Sequence, residues 1–542
     1  MIFAEILESL RSSNQVSKIS ELLSRQERVI ISAPSSSAVP LIASLAPSDK
    51  STLVVTASDK LAEDTAEALS DFFGSEHVAC FPAWETLPHE RLSPSSETVG
   101  RRLEILRRLG NPESSDSLQV LVMSVRSLIA PIMSELAIPK SLQLSKGDDV
   151  SIASLTEQLV EFGYERVELI DRRGQFAVRG GILDIFEPTA DHPIRIEFWG
   201  DTIDDLRYFS AADQRSISGS EESVTLGPCR ELLLTTDVRS RARALVSSHP
   251  ELAETLEKLA AGIWVEGAES FAHLLTDQVK LLPELLTGEW LAIELQPERI
   301  QARVSEIEST SAEFFAAAWQ NAAAGNDVPL TFANLGLSDY ETAKESNPNI
   351  NWCAISSLSS PDSISAQLVL PPEYRGNIHK LSADIRNWRA QDFHISIVMN
   401  GAGPANRLAT TLSEFEIAAR VSNDGKFAKQ VVQIAVGHQR HGFISEQAKT
   451  VLLTEFDLFG SRESSRSTRQ VPSRRKTTID PLTLKPGDFI VHDQHGVGQY
   501  RDLISRQVQG VTREYLVIEY AATKRGAPAD RLFVPIDQLE HI

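Results

Sequence analysis

At 542 residues, with 42% apolar and 23% charged side chains, the chain is long enough for several folded domains and is far from disordered or collagen-like compositions. A formal net charge of −21 argues against strong nonspecific DNA binding, which needs local Lys and Arg to neutralise phosphates. Three widely separated cysteines, Cys80, Cys229 and Cys353, offer neither a disulfide framework nor a local zinc knuckle and fit a reducing cytoplasm. Glu5 and Glu8 break the N-terminal apolar stretch, and no run of about eighteen apolar residues occurs, so neither a signal peptide nor a membrane span is expected.

The first part of the chain alternates strand and helix periodicities: ERVIIS, TLVVTAS, a helical DKLAEDTAEALSDFFG, VACFPAW and LQVLVMSV. That order predicts a parallel sheet with helices on its faces. The loop after the first strand stands where a nucleotide-binding domain carries its phosphate loop, GxxxxGK[ST]. Backbone N–H groups approach phosphates there because glycines leave room, and a Lys and a hydroxyl supply charge and Mg²⁺ contact. Here Pro34, Ser35, Ser36 and Ser37 replace the glycines and no Lys follows. The chain's sole Gly-Lys pair, Gly425-Lys426, continues into Phe427 with no glycine at the required offset. The loop is therefore read as a degenerate, non-functional phosphate loop, and no cofactor is expected for this chain.

Further on the texture becomes hairpin-rich, with RVELID, a turn at RRG, QFAVRGGILDIFEP and RIEFWGDTIDDLRYF alternating apolar and polar residues. These read as antiparallel strands of a separate small α+β domain. Arg179, Arg195 and Trp199 stand among its apolar strand residues. Arginine beside a large aromatic is the composition of an interface hot spot. On the residues alone, pairing of the arginines with Asp184, Glu187 or Glu197 on an ordinary solvated sheet is the favoured reading. Trp199, Trp264, Trp290, Trp319 and Trp352 read as core or interface packing rather than a base-stacking platform.

In ISIVMNGAGPANRL, residues 395–408, Gly401 and Gly403 imitate a dinucleotide loop, but the third glycine and the ribose-binding acid are missing. A plain strand-to-helix connection is expected, with Glu455 a structural acid at the end of VLLT. Residues 371–460 thus form a small α/β unit without evident chemistry, read as a spacer between its neighbours. SRESSRSTRQVPSRRKTT, residues 461–478, sets six cations against Glu463 and has no apolar period, so a solvated basic linker over 461–480 is expected, with phosphate contact the lesser reading. Residues 484–542 alternate through short strands separated by glycine turns, as a small bent β-barrel does. His492 and His495 flank Asp493 without a third ligand, so they are read as turn residues and no metal is expected.

FPAWETLPHERLSPSSETVGRRLEIL, residues 81–106, and RRGQFAVRGGILDIFEPTADHPIRIEFWGDTIDDLRYFSAADQRS, residues 172–216, resemble the module that transcription-repair coupling factors of the Mfd family share with the excision-repair protein UvrB. Residues 484–542 independently resemble that family's RNA-polymerase-interacting domain, which is similar to CarD-type regulators. The resemblance implies an α/β multidomain chain: a UvrB-like parallel-sheet domain in two parts (1–125 and 225–370), an inserted UvrA-binding α+β domain (126–224), a small α/β domain (371–460), the linker (461–480) and a Tudor/CarD-like barrel (481–542). It implies UvrA contacts at Arg179, Arg195 and Trp199, the last a position where some relatives carry Phe. It also implies that LISRQVQG, residues 503–510, adds as a strand to an edge of the polymerase β subunit, with Ile504, Arg506 and Val508 on one face. Complete family members use ATP and magnesium in a motor that translocates on DNA. Because this sequence stops after the polymerase-binding module, no enzymatic activity is expected of it. The implied partners are RNA polymerase and UvrA, with weak DNA contact and no membrane, in the bacterial cytoplasm at the nucleoid. The alternatives are a nucleic-acid-dependent NTPase or helicase accessory, and a transcription regulator acting through the barrel alone.

Overall fold

The computed structural model describes residues 2–25, 27–86, 92–110, 117–133, 141–217, 219–276, 279–323, 337–424, 426, 430–460, 487, 489–492, 496–508, 511–520 and 531–535. The chain forms two compact units, residues 1–462 and 463–542. The basic linker expected over 461–480 lies outside the described residues, as does His495.

The first unit is built on a seven-stranded sheet whose order is Ser363–Ser365, Ile30–Ser32, Ile350–Ser356, Trp290–Leu295, Ser51–Thr56, Val120–Ser124 and Val78–Phe81, every neighbouring pair parallel. Its central strands are apolar and buried at almost every position, as a parallel sheet covered on both faces requires. Serine caps start the covering helices. Ser58 Oγ accepts from the Leu61 amide ahead of Asp59–Phe73, and Ser95 Oγ accepts from the Thr98 amide ahead of Ser96–Leu109. The parallel sheet expected from the early strands is present, and three of its strands come from residues beyond 289.

Between these halves lies a five-stranded sheet of order Thr202–Tyr208, Ile194–Trp199, Ile182–Ile185, Gln175–Arg179 and Glu165–Arg166, antiparallel except for the last pair. Phe176, Leu183, Ile185, Ile194, Ile196 and Leu206 bury one face of it in a core shared with Leu155 and Leu159 of the helix Ile152–Glu161. The helix Ser96–Leu109 ties this sheet to the larger one. A Cβ on Gly100 would stand 2.4 Å from Pro188 Cβ, so the close approach requires glycine, and Glu97 beside it accepts from Arg173 Nη1 at 2.9 Å. One turn on, Arg102 is 1% exposed and pairs with Glu231, 2% exposed. Trp84 Nε1 donates to the same carboxylate at 2.8 Å, Arg102 Nη1 donates to the Pro82 carbonyl at 2.9 Å, and the guanidinium lies 4.4 Å from the Phe81 ring centroid.

Residues 371–460 carry a second α/β sheet of order Ala419–Val421, Val432–Val436, His394–Met399, Thr450–Thr454 and Phe443–Ser445, with only the last strand antiparallel. This region is more than a spacer. Val398, Ala435, Phe443 and Leu452 join the core beneath the helix Asp59–Phe73, and the buried Asp71 of that helix accepts from the His438 amide at 2.7 Å, His438 Nδ1 at 3.0 Å and Gln439 Nε2 at 3.1 Å. Gly437 admits the carboxylate, because a Cβ there would stand 2.8 Å from Asp71 Oδ2.

In the second unit Phe489–His492, Gly496–Val508, Val511–Glu519 and Arg531–Pro535 pair antiparallel in sequence order. Of the small bent barrel expected over 481–542, the described residues give these four antiparallel strands, and residues 521–530 and 536–542 lie outside the described residues. Among the described residues no helix is long and apolar enough to cross a membrane, and no group of three His, Cys, Asp or Glu side chains is placed to hold a metal.

Removing one member of a buried ion pair leaves the other charge unsolvated and typically costs about 3–5 kcal/mol, whereas replacing both by apolar side chains costs far less. Arg102→Met or Glu231→Met alone is expected to lower the urea midpoint of the chain sharply, and the double Met variant to recover part of the loss. Equal midpoints for the single and double variants would contradict this. Asp71→Ala is expected to raise amide hydrogen exchange selectively at residues 437–440 relative to the seven-stranded sheet; unchanged exchange there would show that apolar packing alone holds the region in place.

Candidate protein-interaction surfaces

Period-two alternation sends most apolar residues of the five-stranded sheet to one face and leaves the charged ones on the other, where Ala177 and Asp184 are themselves buried, Ala177 against Ile170 and Phe186. Register defines that face in two rows. One runs Ala177, Asp184, Arg195, Arg207 and the other Arg179, Ile182, Glu197, Asp205. Two hairpins end side by side at one end of it. Arg179 and Ile182 flank Gly180-Gly181, Trp199 and Thr202 flank Gly200-Asp201, and the Phe198 amide donates to the Gly181 carbonyl at 2.8 Å. Gly180 (φ +60°) and Gly200 (φ +66°) each take the left-handed first position that a tight two-residue hairpin turn favours.

Arg179, Arg195 and Trp199 therefore share one face of one sheet, with Arg179 and Glu197 two strands, roughly 10 Å, apart. Their environments differ. Trp199 is 84% exposed, so its ring covers none of the core. Arg179 is exposed and donates through Nη2 to the Glu168 carbonyl. Arg195 is half-buried and grips Asp184 with two bonds, Nε to Oδ1 at 2.7 Å and Nη2 to Oδ2 at 2.9 Å. This bond to Asp184 raises the guanidinium pKa above its ordinary value. Of the three carboxylates that sequence offered as partners, Asp184 takes Arg195. Glu197 instead pairs with Arg207 at 2.8 Å, and Glu187 accepts from the Thr189 and Ala190 amides of a turn. Arg207, opposite Arg195 on the neighbouring strand, was not singled out by sequence. The signal was its place in the alternation of DDLRYF, but only the hairpin register sets it beside Arg195.

In the second unit the strand Gly496–Val508 pairs with Phe489–His492 only as far as Gln499. From Asp502 to Val508 its ladder runs to Val511–Glu519 alone among the described residues, so one backbone edge of the segment carrying Ile504, Arg506 and Val508 is unpaired there. These three alternate positions fall on one face of the strand. Such an edge is a template for a further strand.

The segment read from sequence as a degenerate phosphate loop follows the carboxyl end of Ile30–Ser32. Ser35–Ser37 makes a short 3₁₀ turn in which Ser37 Oγ donates back to the Pro34 carbonyl at 2.8 Å, and the next helix, Ala38–Leu45, is almost wholly buried. Two large cavities of the unit, about 690 and 480 Å³, are lined by Ser48, Asp49, Lys50 and Trp290, at the amino ends of the strands and thus across the sheet from this loop. In the 371–460 region Gly401 precedes an ordinary helix, Ala402–Glu414, and Glu455 accepts from the Asn400 amide at 3.0 Å, tying two strand ends together. Trp290 and Trp352 are buried core residues; Trp319 lies among residues whose side chains are outside the description.

Two family models match: UvrB interaction domain over residues 142–232, and CarD-like/TRCF RID domain over residues 484–542. Among curated proteins, the Transcription-repair-coupling factor of Mycobacterium bovis is 40% identical over 96% of this chain and 44% of its own length. Those of Myxococcus xanthus and Bacillus subtilis are 26% and 23% identical, over 90% and 89% of this chain and 43% and 42% of theirs. The chain thus spans less than half the length of these relatives.

A ligand that binds only the folded state raises its stability, by about 2.7 kcal/mol at a hundredfold excess over Kd. Because Ser37 closes its own loop and Pro34 has no N–H to offer, millimolar ATP with magnesium is expected to leave the melting temperature of the chain unchanged. A rise that Ser36→Arg abolishes would place a working nucleotide site in this loop.

Proposed function

Over the stretch it spans, the chain belongs to the transcription-repair-coupling factor family, and from that premise we propose that it is an adaptor, binding stalled RNA polymerase through residues 481–542 and recruiting UvrA through residues 126–224 for nucleotide excision repair. The observation that carries the proposal is the presence on one chain of both matched modules, UvrB interaction domain and CarD-like/TRCF RID domain. At the UvrA end, Arg179, Arg195 and Trp199 form the contact. An exposed ring next to arginines on a rigid sheet is an inexpensive anchor, since Trp loses little rotamer freedom on burial and Arg offers several donors to one acceptor group. At the polymerase end, the open edge around Ile504, Arg506 and Val508 adds to a sheet of the β subunit, so that backbone hydrogen bonds supply affinity and alternate side chains supply specificity.

The UvrB-like parts, 1–125 and 225–370, serve as the scaffold, 371–460 buttresses it, and 461–480 links it to the polymerase module. No cofactor or catalytic residue enters this role, and DNA contact is weak. ATP and magnesium belong to the motor that the family resemblance assigns to complete members, which translocate on DNA and release stalled polymerase.

The test is capture of purified UvrA and of RNA polymerase by the same immobilised chain. Arg179→Ala with Arg195→Ala is expected to weaken UvrA capture at least about tenfold, since hot-spot truncations cost upward of 2 kcal/mol, while polymerase capture stays intact. Ile504→Asp with Val508→Asp is expected to do the reverse. Loss of both partners with either pair would point to misfolding, and retention of UvrA by the double arginine variant would move its site off this sheet.

A further inference from the structure

Arg195 is held where Arg179 is not. Asp184, on the adjacent strand and directly opposite in register, takes two of its N–H donors, and the guanidinium carbon lies 4.6 Å from the ring centroid of Phe209. Both groups are out of reach of any partner: Asp184 is 3% exposed and Phe209 0%. A guanidinium has five N–H donors and no acceptor, so with two committed to Asp184 the remainder have no protein acceptor among the described residues. They are available to a carboxylate or carbonyl brought by something else. Arg179, at the exposed end of its hairpin, is bound among the described residues to the Glu168 backbone carbonyl and to no carboxylate.

We propose that Asp184 and Phe209 are positioning residues of the partner-binding face, fixing the Arg195 guanidinium in one orientation before the partner arrives. The inference rests on the reading of this face as the UvrA-contacting surface and adds residues that touch no partner themselves. Immobilising a rotamer-rich side chain at an interface typically costs about 0.5–1.5 kcal/mol, which corresponds to roughly two- to tenfold in affinity. A bidentate carboxylate on one side and a ring on the other remove that cost in advance. Arg207 is not gripped in this way: a single nitrogen, Nη2, meets both Glu197 at 2.8 Å and Asp205 at 3.0 Å, and its Nε is buried without a partner among the described residues.

The bland alternative is a cross-strand ion pair that only stabilises the sheet, and a double-mutant cycle separates the two. The affinity of the 542-residue chain for purified UvrA would be measured for the wild type, Asp184→Asn, Phe209→Leu and Arg195→Ala, and for each of the first two combined with Arg195→Ala. Positioning predicts that Asp184→Asn and Phe209→Leu each weaken UvrA binding about two- to tenfold, that neither has a further effect once Arg195 is Ala, and that polymerase capture is unchanged throughout. The inference is overturned if either substitution weakens binding equally in the Arg195→Ala background, or has no effect in the presence of Arg195. Should Asp184→Asn unfold the sheet, seen as a lost melting transition, the Phe209→Leu cycle carries the same test. If Arg195→Ala alone binds UvrA as the wild type does, the placement of the UvrA surface itself has failed, which is a different result from a failed cycle.

Discussion

The buried pair of Arg102 and Glu231 is the constraint on which the arrangement of the first unit depends. Two charges removed from water carry a desolvation penalty of several kcal/mol each, offset only where geometry and further hydrogen bonds are good. Here the carboxylate receives both the guanidinium and the Trp84 indole, while the guanidinium also reaches a backbone carbonyl and the faces of two rings. The pair joins residues on either side of the inserted sheet in sequence, so satisfying it brings the entry and exit of that insertion together. Glu97 and Gly100 on the same helix then dock the insertion against Arg173 and Pro188, which fixes where its outer face points relative to the scaffold.

With that orientation set, the outer face becomes a matter of charge pairing. Its acids and bases are largely matched within the sheet, Arg195 with Asp184 and Arg207 with Glu197 and Asp205. A face neutralised in this way has little long-range attraction for an acidic surface. Recognition there depends on shape and on groups left over, namely the Trp199 ring, the Arg179 head and the unspent donors of Arg195. This agrees with a chain whose net charge of −21 disfavours electrostatic capture of nucleic acid.

The scaffold is held by burial. The parallel sheet, the strand-to-helix loop and the buried helix after it are all present, because burial of apolar strands maintains them independently of any ligand. The loop itself has become a self-bonded serine turn. The 371–460 region is likewise held by burial and by polar contacts, the buried Asp71 chief among them, and it shares a core with the seven-stranded sheet.

Sequence by itself determined a great deal. The strand and helix periods identified the parallel sheet and the hairpins, Pro34 to Ser37 were read as lacking the glycines and Lys of a phosphate loop, and the segments 81–106, 172–216 and 484–542 carried the family resemblance. These are local signals, readable because periodicity and turn chemistry act over a few neighbouring residues. Tertiary structure alone decided that Arg195 belongs to Asp184 and Glu197 to Arg207, that Phe209 lies against the guanidinium, that Asp71 holds a segment more than 360 residues away, and that the strand carrying Ile504 pairs from Asp502 onward with Val511–Glu519 alone among the described residues. Each depends on strand register or on the docking of distant segments. A one-residue slip would reverse every side chain on a strand, and no local pattern records which acid will stand opposite which base.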